Sequence, residues 1–212
     1  MDAPLPTPTS HLELPGWELA WARLSLVAEP GEALAGLALR VAETTRATRA
    51  LDTLTQDPVV AALRRLFKEA GCDPSRYRPS SEALLRRVLK GEDLPAVHPF
   101  VDVNNALSVE LAVPSCVMAA GTFGEPVVLR SGRAGEVLDS MRGPLDLEGK
   151  PLLADEAGPF GTPITDSHRV KVRPETREAW LVAYLPAGLM AVEEALTTLR
   201  ALAAESGCVG VE

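Results

Sequence analysis

The sequence has few of the residues and motifs that identify a familiar chemistry. Its 212 residues include only three cysteines, which lie far apart as Cys72, Cys116 and Cys208. They form no C-x-x-C pair, so the chain offers neither a zinc knuckle nor a paired redox motif, and a reducing cytoplasm is the expected compartment. It also lacks a glycine-rich phosphate loop, an H-E-x-x-H helix and a G-x-S-x-G elbow. We therefore expect no metal and no cofactor.

Long hydrophobic runs are absent as well. The uncharged stretch from Ala179 to Val192, which no other uncharged stretch exceeds in length, contains Pro186 and Gly188 and is shorter than the roughly 20 residues that a membrane helix requires. The opening MDAPLPTPTSHLELPGW has four prolines and no basic residue ahead of an apolar core, which does not fit a signal peptide. We expect a protein that enters no membrane.

Lysine, asparagine, glutamine and isoleucine are scarce. Only four of the 21 basic residues are lysine, and Asn occurs twice, Gln once and Ile once, beside 18 prolines. Few amides and many prolines limit deamidation and loop entropy, which is typical of a thermophile. Codon bias would explain the shortage of Lys and Ile equally well, so both explanations stay open.

The remaining composition is that of an ordinary globular protein, with 46% hydrophobic residues and a net charge of -8. A chain of this length buries roughly 70% of the surface that its unfolded form exposes, so a core needs no metal or disulfide. We predict a proline-rich lead-in over residues 1–16 and a single domain over residues 17–212.

Apolar residues at helical spacing predict five helices. These span residues 31–54, 58–70, 80–90, 102–111 and 189–204. The second is best marked, because Asp57 can cap it and Gly71 can end it. Ser80 or Ser81 is expected to cap the third helix, and Asp102 the fourth.

Short β-prone runs predict strands in the second half of the chain. They lie at residues 127–129, 152–153, 168–173 and 181–184. In the run from His168 to Arg173, alternation would send Val170 and Val172 inward and the cations outward. Helices followed by strands and a final helix predict an α+β fold with a mixed or antiparallel sheet.

Charge is distributed unevenly along the chain. Residues 59–91 carry eight cations and three acids, a net +5, so the rest of the chain carries -13. A second basic strip, residues 169–177, has four cations and one acid. Clustered arginine in an acidic protein is typical of a confined polyanion site. The alternative is a solvated helix face with salt-bridge partners.

The segment RPSSEALLRRVLKGEDLPAVHPFVDVNNALSVELAVP, which begins at Arg78, and the later VVLRSGRAGEVL resemble the B3/B4 domain. That domain occurs as an editing module in the beta subunit of bacterial phenylalanyl-tRNA synthetase and as free-standing small proteins, and the length of this chain favours the free-standing form. ADEAG near Asp155 and PITDSHRVKVRPET around Asp166 are also similar. The similarity covers residues 78–185 and is most specific over its first forty.

The resemblance implies an α+β fold, binding of tRNA or aminoacyl-tRNA, and hydrolysis of a misacylated tRNA in a pocket between sheet and helix. The implied pocket residues are Asp102, Asn105, Cys116, Arg130, Glu136 and Thr176. The cations expected to contact RNA are Arg78, Arg86, Arg87, Lys90, Arg169, Lys171 and Arg173.

The chain departs from the synthetase domain at two positions. There a histidine stands two residues beyond the proline that follows the Asp-x-x-Asn motif, whereas here Pro114 is followed by Cys116. The synthetase also carries an editing glutamate on the strand after the threonine matching Thr176, whereas no acid lies near Val182. The tyrosine-clearing site of the synthetase is therefore not reproduced, and the catalytic groups stay unassigned.

Other interpretations of these residues remain open. Asp102 and Arg130 could form a cap and its partner without any ligand, and Cys116 could be a buried small hydrophobe or a nucleophile. A non-catalytic module could hold an amino-acid-like anion through Arg130. The apolar C-terminal helix could instead form a dimer seam.

Overall fold

In the computed structural model, which describes residues 7–212, the chain forms five α-helices and ten strands. The helices are α1 (Glu32–Thr48), α2 (Pro58–Ala70), α3 (Ser80–Leu89), α4 (Pro99–Glu110) and α5 (Val192–Ser206). The strands are β1 (Ser10–Leu12), β2 (Trp17–Leu26), β3 (Ser115–Ala119), β4 (Val127–Ser131), β5 (Val137–Ser140), β6 (Gly143–Asp146), β7 (Pro151–Asp155), β8 (Gly158–Gly161), β9 (Glu178–Pro186) and β10 (Val209–Val211). This is the α+β fold that the sequence predicts.

The central sheet is antiparallel, with the strand order β10-β2-β9-β3. Alternate side chains of its long strands enter two different hydrophobic cores, because successive residues of a strand point to opposite faces. On β9, Leu181 and Ala183 face the core that α1, α3, α4 and α5 build on one side. Val182 and Tyr184 face a second core on the other side.

The second core lies between the central sheet, helix α2 and a smaller sheet with the order β1-β4-β7-β8. Aromatic rings fill its centre. The ring of Trp17 lies 6.0 Å from that of Phe67 on α2 and 6.4 Å from that of Tyr184, the latter in an edge-on arrangement. Strands β5 and β6 form a separate hairpin that projects beside this sheet.

Helix α2 confirms the prediction at both ends. Oδ1 of Asp57 accepts hydrogen bonds from the backbone N–H groups of Val59 and Val60, at 3.0 and 3.3 Å. Gly71 ends the helix with φ of 100°, a conformation that glycine adopts without steric cost. All the signals for this helix are local, which is why the sequence is sufficient to place it.

Two predicted helix caps are wrong. The cap of α4 is His98, whose Nδ1 accepts from the N–H of Phe100 at 3.2 Å, so the helix begins three residues before Asp102. The N-cap of α3 is Pro79 rather than Ser80 or Ser81. The N–H of Ser80 instead donates to the carbonyl of Pro163 at 2.8 Å, a tertiary partner that replaces a side-chain cap.

The predicted strand over residues 168–173 is also wrong. Residues His168–Val170 form a 3₁₀ turn, and the Ser167 hydroxyl accepts from the N–H of Arg169 at 3.1 Å. Val170 and Val172 are nevertheless buried, as the alternation predicts. A local cap therefore changes the backbone conformation without changing which side chains enter the core.

The N-terminal part of the chain differs from the sequence prediction. Residues 1–6 lie outside the described residues, but Ser10–Leu12 pair in parallel with β4, so the predicted lead-in already contains a strand. The sequence does not predict strand β2, although it pairs with β9 from Trp17 to Ser25. Its residues WELAWARLSL are mostly helix formers, and the long antiparallel pairing overrides that local preference.

The C-terminal helix α5 packs its apolar face into the molecule. Leu199, Leu202 and Ala203 are buried in the same core as α1 and α4. The apolar residues proposed for a dimer seam therefore pack inside the molecule. The exception is Leu189, which lies before the helix and is exposed. Among the residues described, no helix has both the length and the hydrophobicity needed to cross a membrane.

Candidate functional site

A groove of about 790 Å³ opens between α3, α4, the start of β3, the β5–β6 hairpin turn and the segment after β8. Residues of helix α3, the hairpin turn and Lys171 line the groove, and we call them its walls. Its floor is formed by residues of α4 and β3 together with Asp166. Separate parts of the chain thus meet at one surface depression.

The walls of the groove are strongly cationic. Seven cations line it, and they are Arg76, Arg78, Arg86, Arg87, Lys90, Arg142 and Lys171. The acidic residues that line it are Glu92 and Asp166. Since the whole chain has a net charge of -8, this surplus of positive charge is local. Such a surface favours a ligand that carries phosphates.

Some wall cations are anchored by a buried carboxylate on α3. Glu82 is fully buried, and its oxygens lie 2.9 Å from Nη1 of Arg64 and 2.9 Å from Nε of Arg86. Nε of Arg78 lies 3.8 Å away. The predicted RNA contacts Arg78 and Arg86 therefore also hold α3 in place, and one buried acid meets three cations.

The other wall cations differ in their pairing. Arg87 is tied to its own helix end, with Nε 3.1 Å from the carbonyl of Asp93 and 3.3 Å from Glu92. In contrast, no carboxylate lies within ion-pair distance of four of them among residues 7–212. These four are Arg76, Lys90, Arg142 and Lys171. They are the charges most available to a ligand.

The floor of the groove is built from buried polar side chains. Asn104 is 7% exposed, and its Nδ2 donates to the carbonyl of Ser115 at 3.4 Å. The hydroxyl of Ser115 lies 2.6 Å from that of Ser108 and donates to the carbonyl of Asn104 at 3.3 Å. Oδ1 of Asn104 is buried and has no hydrogen-bond partner within the described part of the chain.

Cys116 lies beside Asn104 and Asn105 at the floor and is almost completely buried. Its Sγ donates to the carbonyl of Thr162 at 3.3 Å and lies 3.7 Å from the hydroxyl of Tyr184. Burial raises the pKa of the Cys116 thiol well above its usual value. The group is therefore a neutral thiol at physiological pH, and thiolate chemistry would first require a base.

Asp166 is the acid at the floor. Burial raises the pKa of its carboxyl group to about 7, although the neighbouring Cys116 thiol opposes that shift. Its Oδ1 atom is buried and has no hydrogen-bond partner among the described residues. A carboxyl group in this state exists in both protonation forms near neutral pH, which is the condition for a group that exchanges a proton or meets a cation.

The predicted pocket residues divide into two groups. Asn105 and Cys116 line the groove. Asp102 lies outside it and accepts from the N–H groups of Val97 and His98, which closes the turn before α4. Burial raises the pKa of this carboxyl group. Thr176 also lies outside, where its Oγ1 accepts from the N–H of Arg173 in a turn.

Arg130 and Glu136 form an ion pair away from the groove. The two terminal nitrogens of Arg130 lie 2.8 and 2.7 Å from the two carboxylate oxygens of Glu136. The guanidinium lowers the pKa of Glu136 to about 2. The partner of Arg130 is therefore Glu136 and not Asp102, and the carboxylate occupies the edge of the guanidinium that would hold an amino-acid-like anion.

The predicted RNA contacts also divide. Five of them line the groove, and these are Arg78, Arg86, Arg87, Lys90 and Lys171. Arg169 is instead held by Asp155 at 3.0 Å and lies over the ring of Phe160. Arg173 is exposed on the turn with Thr176, outside the groove.

Sequence reasoning missed Asn104, Asp166, Arg76 and Arg142 as groove residues. Asp166 lies inside a segment that resembles the B3/B4 domain, but nothing local marks it as buried. Within residues 7–212, no three His, Cys, Asp or Glu side chains are grouped so as to hold a metal ion.

Comparison with known proteins agrees with the resemblance. The profile of the B3/4 domain family matches residues 62–198. Among solved structures, the N-terminal fragment of the phenylalanyl-tRNA synthetase beta-subunit from Pyrococcus horikoshii aligns with 95% of this chain at 12% identity and a TM-score of 0.48, and this chain spans 50% of that fragment. No curated protein sequence matches significantly. The family match covers more than half of the chain, which therefore belongs to the B3/4 domain family.

Proposed function

We propose that this protein binds tRNA and that its groove receives the aminoacylated 3′ end. The observation that carries the proposal is the cationic wall in an otherwise acidic protein. Phosphates attract cations that have no carboxylate partner, and four such cations of the described chain line the groove. A sequence-independent backbone contact of this kind would position the RNA without reading its bases.

The dimensions of the groove support a ligand of this class. Its volume of about 790 Å³ lies within the range of about 300 to 1,000 Å³ typical of small-molecule sites. A terminal nucleoside with an attached amino acid is a ligand of that size. The walls would hold the phosphates, while the polar floor with Asn105 and Cys116 would hold the aminoacyl group.

We further propose slow hydrolysis of a misacylated tRNA at this floor. Among the described residues no histidine lines the groove, and the Cys116 thiol is neutral, so the site does not resemble a nucleophile with its base. Hydrolysis would then depend on a positioned water and on backbone donors that stabilise the developing oxyanion. The charged amino acid that is removed stays unassigned.

Binding is tested by titrating labelled tRNA with the protein at several salt concentrations. We expect log K to fall linearly with log salt concentration, with a slope of about 0.7 for each single-stranded phosphate contact. Lys90→Ala and Lys171→Ala should each weaken binding and reduce this slope. Arg65→Ala is the matched control, because Arg65 lies on α2 outside the groove and is 70% exposed. Salt-independent binding, or an equal loss of affinity in the control, would contradict the proposal.

Hydrolysis is tested on a panel of correctly and incorrectly charged tRNAs, including tyrosine on phenylalanine tRNA. Selective release of one amino acid by the wild type is the expected result. No release from any member, with tRNA binding intact, would leave a binding protein and remove the hydrolytic part of the proposal.

A further inference from the structure

Two buried oxygen atoms at the floor of the groove have no hydrogen donor among the described residues. They are Oδ1 of Asn104 and Oδ1 of Asp166. A buried acceptor without a partner costs free energy, so native structures leave very few of them unless a ligand or water supplies the donor. Both residues line the same groove, and both lie near β3, since Asn104 donates to the carbonyl of Ser115 and the Cys116 thiol lies beside the Asp166 carboxyl group.

The side chain of Asn104 and the backbone of Asp166 are held by the structure around them. Asn104 is fixed through the carbonyl of Ser115. The backbone around Asp166 is tied on two sides, because the N–H of Met141 donates to its carbonyl at 3.1 Å and the N–H of Ser167 donates to the carbonyl of Phe160 at 2.9 Å. The amide of Asn104 and the backbone that carries Asp166 are therefore positioned before a ligand arrives.

The chemistry of the floor identifies the missing donor. The buried groups without a partner there are acceptor oxygens, one of them on a carboxyl group, whereas the cations line the walls. A primary ammonium group has three N–H donors and a positive charge, so it matches acceptors of both kinds, an amide oxygen and a carboxylate oxygen. An aminoacyl-tRNA has the matching polarity, with phosphates toward the walls and an α-ammonium group toward the floor.

We propose that Asp166 and Asn104 bind the protonated α-amino group of the aminoacyl ligand and thereby select charged over uncharged tRNA. This inference rests on the proposed tRNA-binding function and adds a specificity site to it. Asp166 is the anion of that site, and Asn104 supplies the second acceptor.

The space around Asp166 is limited, and Gly161 preserves it. A Cβ atom at Gly161 would lie 3.3 Å from Oδ1 of Asp166 and 3.7 Å from the hydroxyl of Tyr184. The first distance is tighter than an ordinary contact, so Gly161→Ala would shift the carboxyl group by a few tenths of an ångström. This substitution tests the position of Asp166 without changing its charge.

The selectivity should depend on pH. The titratable groups against Asp166 are the Cys116 thiol and the Tyr184 phenol, both neutral near pH 7, and the cations of the nearby wall are Arg142 and Lys171. Because the pKa of Asp166 in the free protein is about 7, an ammonium ligand must displace a proton below that pH. A ligand α-amino group loses its own proton near pH 8. The preference for charged tRNA should therefore be greatest between about pH 7 and 8.

The test compares three stable ligands in a binding titration at pH 7.5. They are an amide-linked aminoacyl-tRNA, the same molecule with an N-acetylated amino group, and uncharged tRNA. We expect the first to bind at least tenfold more tightly than the other two. Asp166→Asn and Gly161→Ala should remove this difference and leave the affinity for uncharged tRNA unchanged. Glu92→Gln, which alters the other acid lining the groove, is the matched control and should retain the difference in affinity between the ligands.

The possible failures are distinguishable. Equal binding of the free and N-acetylated forms by the wild type would overturn the inference while the tRNA-binding proposal stands. Loss of uncharged tRNA binding by folded Asp166→Asn would also overturn it, because the residue would then support the groove as a whole. If the wild type binds none of the three ligands, both the inference and the proposed function fail.

Discussion

Two arginine-carboxylate sites of this molecule look alike in sequence but behave differently in the fold. Arg130 faces Glu136 in a bidentate pair, one cation to one anion, which occupies the edge of the guanidinium. On α3, Glu82 faces three arginines, and further cations nearby have no carboxylate partner among the described residues. The ratio of cations to carboxylates at a site, rather than the number of arginines, therefore indicates where an anion can bind.

The largest effect should come from removing the buried anion of the α3 cluster. Glu82→Ala leaves Arg64 and Arg86 without their shared partner, and breaking a buried ion pair costs about 3 to 5 kcal/mol. Because both arginines are partly exposed, we expect about 3 kcal/mol, which lowers Tm by about 6 to 12 °C for a chain of this size. Thermal unfolding followed by circular dichroism measures it.

Glu69→Ala is the control for that substitution. Glu69 forms an exposed i,i+4 pair with Arg65 at 3.7 Å, so its removal should change stability by less than about 0.5 kcal/mol. A similar decrease in Tm for both variants would show that the buried cluster contributes no more than a surface pair.

The second prediction concerns the pH dependence of the Arg130–Glu136 pair. The pKa of Glu136 is lowered from 4.5 in the unfolded chain to about 2 in the folded protein, so its contribution is complete above pH 4.5 and is lost as pH falls toward 2. Allowing for solvent screening, the Arg130–Glu136 pair contributes about 1 to 2 kcal/mol to the free energy of unfolding. Urea unfolding of the wild type and Glu136→Gln should differ by this amount at pH 7 and converge near pH 2. A constant difference across that range would refute the assignment.

The third prediction contrasts ligand binding with stability. Lys90→Ala combined with Lys171→Ala removes two cations that have no carboxylate partner in the described chain, so stability should change by less than about 0.5 kcal/mol. Affinity for tRNA should fall about tenfold or more at low salt, since a phosphate that meets no cation releases no counterion. Glu136→Gln should leave tRNA affinity unchanged. If Glu136→Gln loses as much tRNA affinity as the double lysine variant, the distinction between the two cationic sites is wrong.

The smallest effect on tRNA affinity is expected for a substitution at Arg169. The sequence places Arg169 and Lys171 in one basic strip, but Asp155 holds Arg169 at 3.0 Å whereas Lys171 lines the groove. Arg169→Ala should therefore reduce tRNA affinity less than Lys171→Ala does, although it should cost about 1 to 3 kcal/mol of stability, because the buried carboxylate of Asp155 loses its cation. Parallel binding titrations of the two variants decide this. A larger decrease in affinity at Arg169 would show that the ion pair opens to meet RNA.

Elements with local signals can be predicted, whereas an element that has no such signal and depends on a distant partner cannot. Helix α2 has its cap, apolar stripe and terminal glycine within one short stretch of chain, and the structure follows them. Strand β2 has no such signals, since its conformation depends on pairing with β9, which lies near the other end of the chain. The 3₁₀ turn at His168 departs from prediction for a third reason, because a single serine cap outweighs the alternation.

Part of the candidate site can likewise be recognised from the sequence, and part of it cannot. Its cationic α3 wall is visible as a cluster in one stretch of sequence, because neighbouring turns of one helix bring those residues together. The floor is not visible, because Asn104, Cys116 and Asp166 come from a helix, a strand and a loop that meet only after folding.

Sequence alone was enough for the α+β class, the resemblance to the B3/B4 domain, the ends of α2 and the basic character of residues 59–91. Periodicity, capping and charge are properties of neighbouring residues, so they can be recognised without a fold. The folded molecule was needed to show which arginines are paired and which buried oxygens lack a donor among the described residues. Those facts depend on distances between residues far apart in the chain, which only folding sets.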